Sequence, residues 1–480
     1  MAFIRNCFAV MAMLVSVVMS KAQTVYYPAP ASQLLKATAA DAASLLQQAI
    51  PAAHFTTAAY TTSPANGIVF RYDSTITDNQ ACRVISDGSS YILFSAAQDN
   101  GLVFGLYQYF QQLGFRFYQP GSIWQKTPVL NSPFKKTDTV YTCTYIYKSW
   151  AISGGCNRWI MDNNSSYGWD MYFGENGHNW ALYQRRNGML GSGLFNGHRG
   201  DIVTGNYLSN LQSNPCYVAC YDSSRTATTQ SVPDIHSTAA MEMWANAIEN
   251  KYSTLRNTIS SNPVLYADYY RNFNYRNSCI GIEVPDGARW GNSKDNGFCN
   301  SSDYPSASDQ QFMLANYTAQ KLAVKYPQTH LQLYAYSAHA NVPSAGININ
   351  SNIEVQVVPT AFQNETSAKG LLNRWYNRSR QVSEYHYLNI PQWGGETPVS
   401  YLGEMKAALQ RAKDKNSQGI TWEASPAKFA SLPFLFAANN NLKDNTAVDS
   451  SLHQFCNDMF GSAAATVFEL LQWWGDDRTV

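Results

Sequence analysis

The rhythm of apolar and polar positions changes several times along the chain. Cys7 to Met19 is one apolar run behind Arg5, and Ser20-Lys21-Ala22 fits a small-x-small cleavage site before Gln23. This is the pattern of a secretory signal peptide over residues 1–22, too short to span a membrane comfortably. Apolar residues then recur at helical spacing over 31–50, and short β-like runs follow at 67–72, 82–86 and 90–95. From Asp99, Leu102, Leu106, Tyr109, Phe110 and Leu113 line one helical face, and Asp99 or Asn100 is positioned to cap it. Gly114 suits a left-handed helix end, Phe115 and Phe117 alternate as in a strand, and Pro120-Gly121 turns the chain. Residues 23–136 therefore read as a small α/β domain.

From about residue 143 short apolar runs alternate with helix-length segments. The expected strands are 144–150, 188–196, 216–221, 279–284, 331–336, 353–359, 382–388 and 418–423. Helical periodicity is strongest over 238–259, 308–326, 368–380 and 400–415. Strands alternating with helices in this number predict a (β/α)8 TIM-like barrel over 143–430, with chemistry at the C-terminal strand ends. Residues 431–480 read as a helical C-terminal segment.

Composition narrows the function classes. The net charge of +1 gives no reason to expect nucleic acid or an anionic membrane as partner. Charged residues are only 14%, while aromatics are also 14%, with 31 Tyr and 12 Trp. A low-charge chain rich in aromatics and amides suits a carbohydrate partner, whose C–H faces stack on rings; large exported proteins also keep many aromatics in their cores. Besides Cys7, the cysteines are Cys82, Cys143, Cys156, Cys216, Cys220, Cys279, Cys299 and Cys456. An even number in an exported chain permits disulfides. Cys279–Cys299 is the first expected pair and Cys216–Cys220 the second.

Three acids stand where a barrel would use them. In Cys279-Ile280-Gly281-Ile282-Glu283-Val284 the apolar residues share one face and Glu283 the other, and Asp286-Gly287 follows in a turn. Glu423 ends the run Gly419–Glu423, beside Trp422. Paired carboxylates can divide acid and base roles when their surroundings differ. Asp286 also fits an ordinary turn aspartate, and Glu283 or Glu423 a buried, satisfied acid. His198 and Arg199 follow the second expected strand and could bind a hydroxyl and a carboxylate. Tyr336, Trp393 and Trp422 complete the expected sugar-binding set, with Tyr334, His339, Tyr385, His386 and Tyr387 near them. There is no HExxH, GxSxG, phosphate-binding loop or strand-following GxGxxG, and the 8 His do not cluster at metal spacing. No cofactor or metal is expected.

With these residues in view, the chain resembles exported bacterial proteins of the DUF4838 family, preceded by a domain like that of α-glucuronidases and β-hexosaminidases. Leu113-Gly114-x-Arg116-x-Tyr118-x-Pro120-Gly121 resembles the end of that accessory domain. Trp180–Met189 with Gly197-His198, Pro285-Asp286-Gly287 followed by Cys299, Tyr326-Pro327, Leu333–Tyr336 with Pro343, and Gly419–Glu423 resemble motifs of the second part. The resemblance implies a glycoside hydrolase-like barrel without fixing its sugar. Cys299 lacks the denser downstream cysteine cluster common in the family. The chain ends at Val480, where relatives commonly continue, so a shortened C-terminus is expected.

The leading expectation is a secreted or periplasmic glycoside hydrolase using Asp286, Glu283 and Glu423 as acid/base or nucleophile. The alternatives are a non-catalytic glycan-binding relative, and a polysaccharide lyase with His198 or a tyrosine as base and Arg199 neutralising a uronate.

Overall fold

The computed structural model describes residues 22–78, 80–119, 121–143, 147–152, 182–189, 202–221, 224–261, 279–292, 299, 303–327, 329–359, 365–389, 402–424, 431–444 and 446–475. The chain forms two compact units. One comprises residues up to Arg116 together with Lys126–Tyr141, and the other Phe117–Gln125 together with Thr142 onward. The leader, the expected strand 188–196 beyond Met189, and His198, Arg199 and Trp393 lie outside the described residues.

The first unit is a six-stranded sheet. Its strands are β1 (Ala22–Pro28), β2 (His54–Tyr60), β3 (Gly67–Tyr72), β4 (Cys82–Ser86), β5 (Tyr91–Ala96) and β8 (Thr137–Tyr141), in the order β2-β1-β3-β5-β4-β8. A two-residue ladder, β6 (Arg116–Phe117) with β7 (Gln125–Lys126), precedes β8 in the chain. Helices α1 (Gln33–Ala49) and α2 (Asp99–Leu113) cross over between strands. Ser32 caps α1 by accepting the Leu35 N–H at 3.0 Å. Helix α2 begins at Asp99, but its N-cap is Gln98, which makes no side-chain capping bond. Neither Asp99 nor Asn100 is the cap; the Asp99 carboxylate instead takes the Tyr72 hydroxyl. Gly114 adopts φ 104°, as a left-handed helix end requires. Gly105 is needed for close approach: a Cβ there would stand 2.3 Å from Cys82 Sγ.

The second unit is built on six parallel strands: β9 (Tyr147–Ile152), β10 (Cys279–Gly281), β11 (His330–Ala335), β12 (Ile353–Val357), β13 (Val382–Asn389) and β14 (Gly419–Ala424). Their order is β10-β11-β12-β13-β14-β9. The last of these strands therefore pairs with the first, and the sheet is half-barrel in form. Its described residues also form helices α3 (Gly205–Ser213), α4 (Thr238–Ser261), α5 (Ala307–Lys325), α6 (Glu365–Arg378), α7 (Leu402–Asp414), α8 (Ser431–Asp444), α9 (Val448–Phe460) and α10 (Ala464–Gly475). Helices α8 to α10 fall within residues 431–480.

Two expectations are corrected. Residues 216–221 are not a strand: Pro215–Tyr217 is a 3-10 turn, and Val218 and Tyr221 make only isolated bridges. Pro215 has no N–H to give a ladder, and it opens the turn instead. Neither expected cysteine pair forms. Cys216 bonds Cys299, 83 residues away in sequence, and Cys220 is buried outside any disulfide. The disulfide joins segment 216–236 to the loop after β10. Asn292 N–H to Cys220 O (3.0 Å) and Arg289 N–H to Gln230 O (2.9 Å) hold the same two segments together.

Period-2 alternation sorts each strand onto two faces. Leu331, Leu333, Val355, Val357, Val382 and Ile280 join Phe312 of α5 and Trp375 of α6 in one apolar core. Ile420 and Trp422 join α7 to α10 in a second. The opposite, inner face carries Gln332, Tyr334, Gln356, Ser383, Tyr385, Thr421 and Glu423, which register next to one another.

Candidate active site

The strand ends of the second unit gather tyrosines and carboxylates. Tyr385 on β13 donates its hydroxyl to Glu423 Oε2 on β14 at 2.7 Å. Tyr387, two residues on, registers with Glu423. Ring pairs Tyr334–Tyr385 (5.4 Å) and Tyr385–Tyr387 (5.6 Å) link β11 to β13. Tyr336, one residue past β11, packs against this cluster.

Glu283 is buried just beyond β10. Its Oε2 accepts the Tyr334 backbone N–H at 2.7 Å and Gln311 Nε2 at 3.3 Å, while Oε1 faces His339 Nε2 at 2.7 Å. His339 is delivered by the 3-10 turn Ser337–His339, opened by Ser337 at φ 50°, a left-handed conformation unusual for serine. The imidazole lies edge-on to Trp290, 5.3 Å between ring centres, so it touches both ends of the 283–290 segment. Asp286 sits in the exposed turn of that segment, Gly287 having φ 68°, and Gln230 Nε2 donates to the Asp286 backbone carbonyl at 3.4 Å.

Burial pushes the Tyr336 hydroxyl above its ordinary value, and the charges of Asp286, then Glu423, then Glu283 add to that, against a hydrogen bond with Tyr387. Tyr387 is likewise raised, by burial first and the Glu423 charge second. Tyr385 lies well above its ordinary value through burial, then the charges of Tyr334 and Glu423. Neutral tyrosines around carboxylates are hydrogen-bond donors, and donors and acceptors together are what sugar hydroxyls require.

Of the expected site residues, Glu283, Glu423 and Tyr336 lie around the Tyr334–Tyr385–Tyr387 cluster, and Asp286 stands in the exposed turn just past Glu283. Trp422 is not with them. It follows the opposite alternation, is 4% exposed in the outer core, and lies 5.3 Å from the His386 ring. His386 is also outward, with Nε2 2.7 Å from Glu384 Oε2. Gln311 and Trp290 were not singled out from sequence. The run Asp309-Gln310-Gln311, polar yet buried at the start of α5, is the signal that could have found Gln311. Among the described residues no group of three or more His, Cys, Asp or Glu is placed to hold a metal. No helix there is long and apolar enough to cross a membrane.

No protein-family model and no curated protein sequence matches the chain. Solved structures do. A GH115 4-O-methyl-α-glucuronidase with specificity for decorated arabinogalactans is similar over 95% of this chain and 62% of its own, at 11% identity and a TM-score of 0.57. The fold is glycoside hydrolase-like. The chain spans about three-fifths of that enzyme's length. A GH138 enzyme targeting pectin rhamnogalacturonan II (TM-score 0.46, 9% identity, 95% of this chain, 55% of its own) superposes too loosely to define the fold further. The same holds for a β-N-acetylhexosaminidase from Bacteroides fragilis (0.40, 13%, 94%, 87%).

Proposed function

We propose that the chain is an exported, DUF4838-type glycoside hydrolase whose second unit is a (β/α)8 barrel acting on a polysaccharide or oligosaccharide. The observation that carries this reading is the cluster at the ends of parallel strands, where Tyr385 donates to Glu423, Glu283 accepts the Tyr334 N–H and Tyr336 packs beside them. Export rests on the leader-like residues 1–22.

The acids have unequal freedom. Glu283 is buried and bonded on both oxygens, so it orients His339 and the Asp286 loop. Glu423, held by Tyr385, acts as nucleophile or base, and Asp286 in its exposed turn donates the proton to the leaving oxygen. Tyr336 and Tyr387 hold the sugar hydroxyls. Carboxyl groups about 5–5.5 Å apart with substrate bound give retention, and about 6.5–9.5 Å inversion.

The test is hydrolysis of a panel of aryl glycosides and plant and bacterial polysaccharides by the wild type, Asp286→Asn and Glu423→Gln. Each variant is expected to lose at least about 10²-fold in kcat/KM while keeping its melting temperature. Unchanged turnover in either variant removes that residue from the chemistry. Glycan affinity without released product would favour the binding-protein alternative.

A further inference from the structure

The turn that carries Asp286 is held on both sides. Before it, Glu283 Oε2 accepts the Tyr334 N–H and Gln311, and the Ile282 N–H donates to Gln332 O at 2.8 Å. After it, Gly291 exchanges two bonds with the Gln310 amide of α5. Its N–H reaches Gln310 Oε1 at 3.0 Å, and its carbonyl accepts Nε2 at 2.7 Å. The His339 ring touches both ends, through Glu283 Oε1 at 2.7 Å and Trp290 at 5.3 Å between ring centres. His339 also belongs to the loop of Tyr336, because its backbone N–H donates to Tyr336 O at 3.0 Å.

The ring is oriented rather than merely packed. Its Nδ1 is buried and meets no hydrogen-bond partner among the described residues. A bare ring nitrogen tolerates that better than an N–H, which assigns the proton to Nε2, where it is given to Glu283. One polar bond and the Trp290 contact therefore set the ring's direction. The turn that delivers it begins at Ser337 with φ 50°, and a non-glycine residue stays left-handed where its surroundings hold it. Just past the turn, Ala340 O accepts Trp375 Nε1 of α6 at 2.8 Å. The strands need none of this, since β10 pairs with β11 through the backbone. Losing the imidazole would release the Asp286 turn and leave the sheet intact.

We propose that His339 is a positioning residue for the hydrolysis, whose ring sets the Asp286 turn against Tyr336. This rests on the assignment of Asp286 as the proton donor. A donor displaced by about 1 Å costs on the order of 10²-fold in rate. The loss carries a signature. An aryl group that leaves readily as its anion needs no proton, whereas a poor leaving group needs one as its bond to the anomeric carbon breaks. A residue that only supported the fold would slow both alike.

The full chain is assayed for kcat/KM on dinitrophenyl and methylphenyl glycosides of the sugar that the wild type cleaves. His339→Leu is expected to lose about 10²-fold on the methylphenyl glycoside and less than about 5-fold on the dinitrophenyl one. Asp286→Asn should show the same split, and adding His339→Leu to it should cost less than about 3-fold more. His339→Gln, whose amide N–H can reach Glu283, should recover most of the loss. Trp290→Leu removes the ring's other support; it should repeat the split, and it serves if His339→Leu does not fold. Hydrogen exchange at amides 286–291 reads the turn without turnover, and should quicken at least about tenfold in His339→Leu while amides 331–335 hold. Equal losses on both glycosides, multiplying losses in the double variant, or unchanged exchange at 286–291 overturns the proposal. An impaired Asp286→Asn beside a fully active His339→Leu removes His339 alone. If the wild type cleaves nothing, or Asp286→Asn cleaves as well as it does, the assignment of Asp286 fails, and the exchange decides by itself whether His339 holds the turn.

Discussion

The outward side of β13 offers a quantitative test of how the tyrosine layer is held. Glu384 is fully buried and accepts from His386 Nε2 (2.7 Å), Tyr376 Oη (2.7 Å), and Arg411 Nε (3.1 Å) and NH2 (2.7 Å). Its neighbours on the strand, Tyr385 and Tyr387, face the candidate site. Glu384→Gln keeps the volume and removes the charge, leaving His386 and Arg411 without their shared anion. Breaking one side of a buried pair costs about 3–5 kcal/mol, and the Arg411 side chain, 20% exposed, recovers part of that from water. We expect roughly 3 kcal/mol, or a fall in melting temperature on the order of 6–12 °C.

The pH dependence follows from opposite shifts in the pair. Burial works against ionising Glu384, but His386 and then Arg411 outweigh it and hold the acid at about 2. Burial also disfavours the His386 cation, yet bonds to Glu384 and Glu404 raise it above its ordinary value. The lowered acid stabilises the fold above its unfolded value of about 4.3, and that stability is lost as pH falls towards 2. The raised histidine stabilises the fold below about 6.5, and that stability is lost as pH climbs through its folded value. The gap between wild type and variant should therefore be widest between about pH 4.5 and 6.5. Urea unfolding followed by tryptophan fluorescence across pH 3–9 reads it. A gap under about 1 kcal/mol, or one that does not vary with pH, refutes the reasoning.

Three further outcomes can be checked directly. Gly105→Ala should destabilise the first unit by about 1–3 kcal/mol in chemical denaturation, because its Cβ would stand 2.3 Å from Cys82 Sγ on β4. Trp375→Ala should cost about 3–5 kcal/mol in the second unit, since the indole is fully buried beside Phe312 and donates to Ala340 O at 2.8 Å. Tyr385→Phe removes the donor to Glu423 with little change in packing; kcat is expected to fall while the melting temperature shifts by no more than about 1.5 kcal/mol equivalent.

Much of the second unit was legible because its strands obey simple alternation. Gly281 and Glu283 opposing Ile280 and Ile282 placed Glu283 on the inner side, and the runs at 353–357, 382–389 and 419–424 carry the β-branched and aromatic residues that pleated strands favour. The same rule separates Trp422 from Glu423. Adjacency in sequence suggested a shared subsite, whereas a period of two sends neighbours to opposite faces. The Cys216–Cys299 bond was not legible, because it depends on how two loops meet across 83 residues. The run Cys216–Tyr221 has strand-like composition, but Pro215 and the disulfide commit it to a turn. The fixing of Glu283 by Gln311 and His339 was also hidden, since three separate elements supply those groups.

The most direct measurement is a crystal structure of the protein with a hydrolysable oligosaccharide trapped in Glu423→Gln. The anomeric carbon of the bound sugar should lie between residue 423 and Asp286, with the Tyr336 hydroxyl bonded to a ring substituent. A glycan bound away from Asp286, or one whose glycosidic oxygen has no carboxyl group within about 3.2 Å or one bridging water, would contradict the assignment.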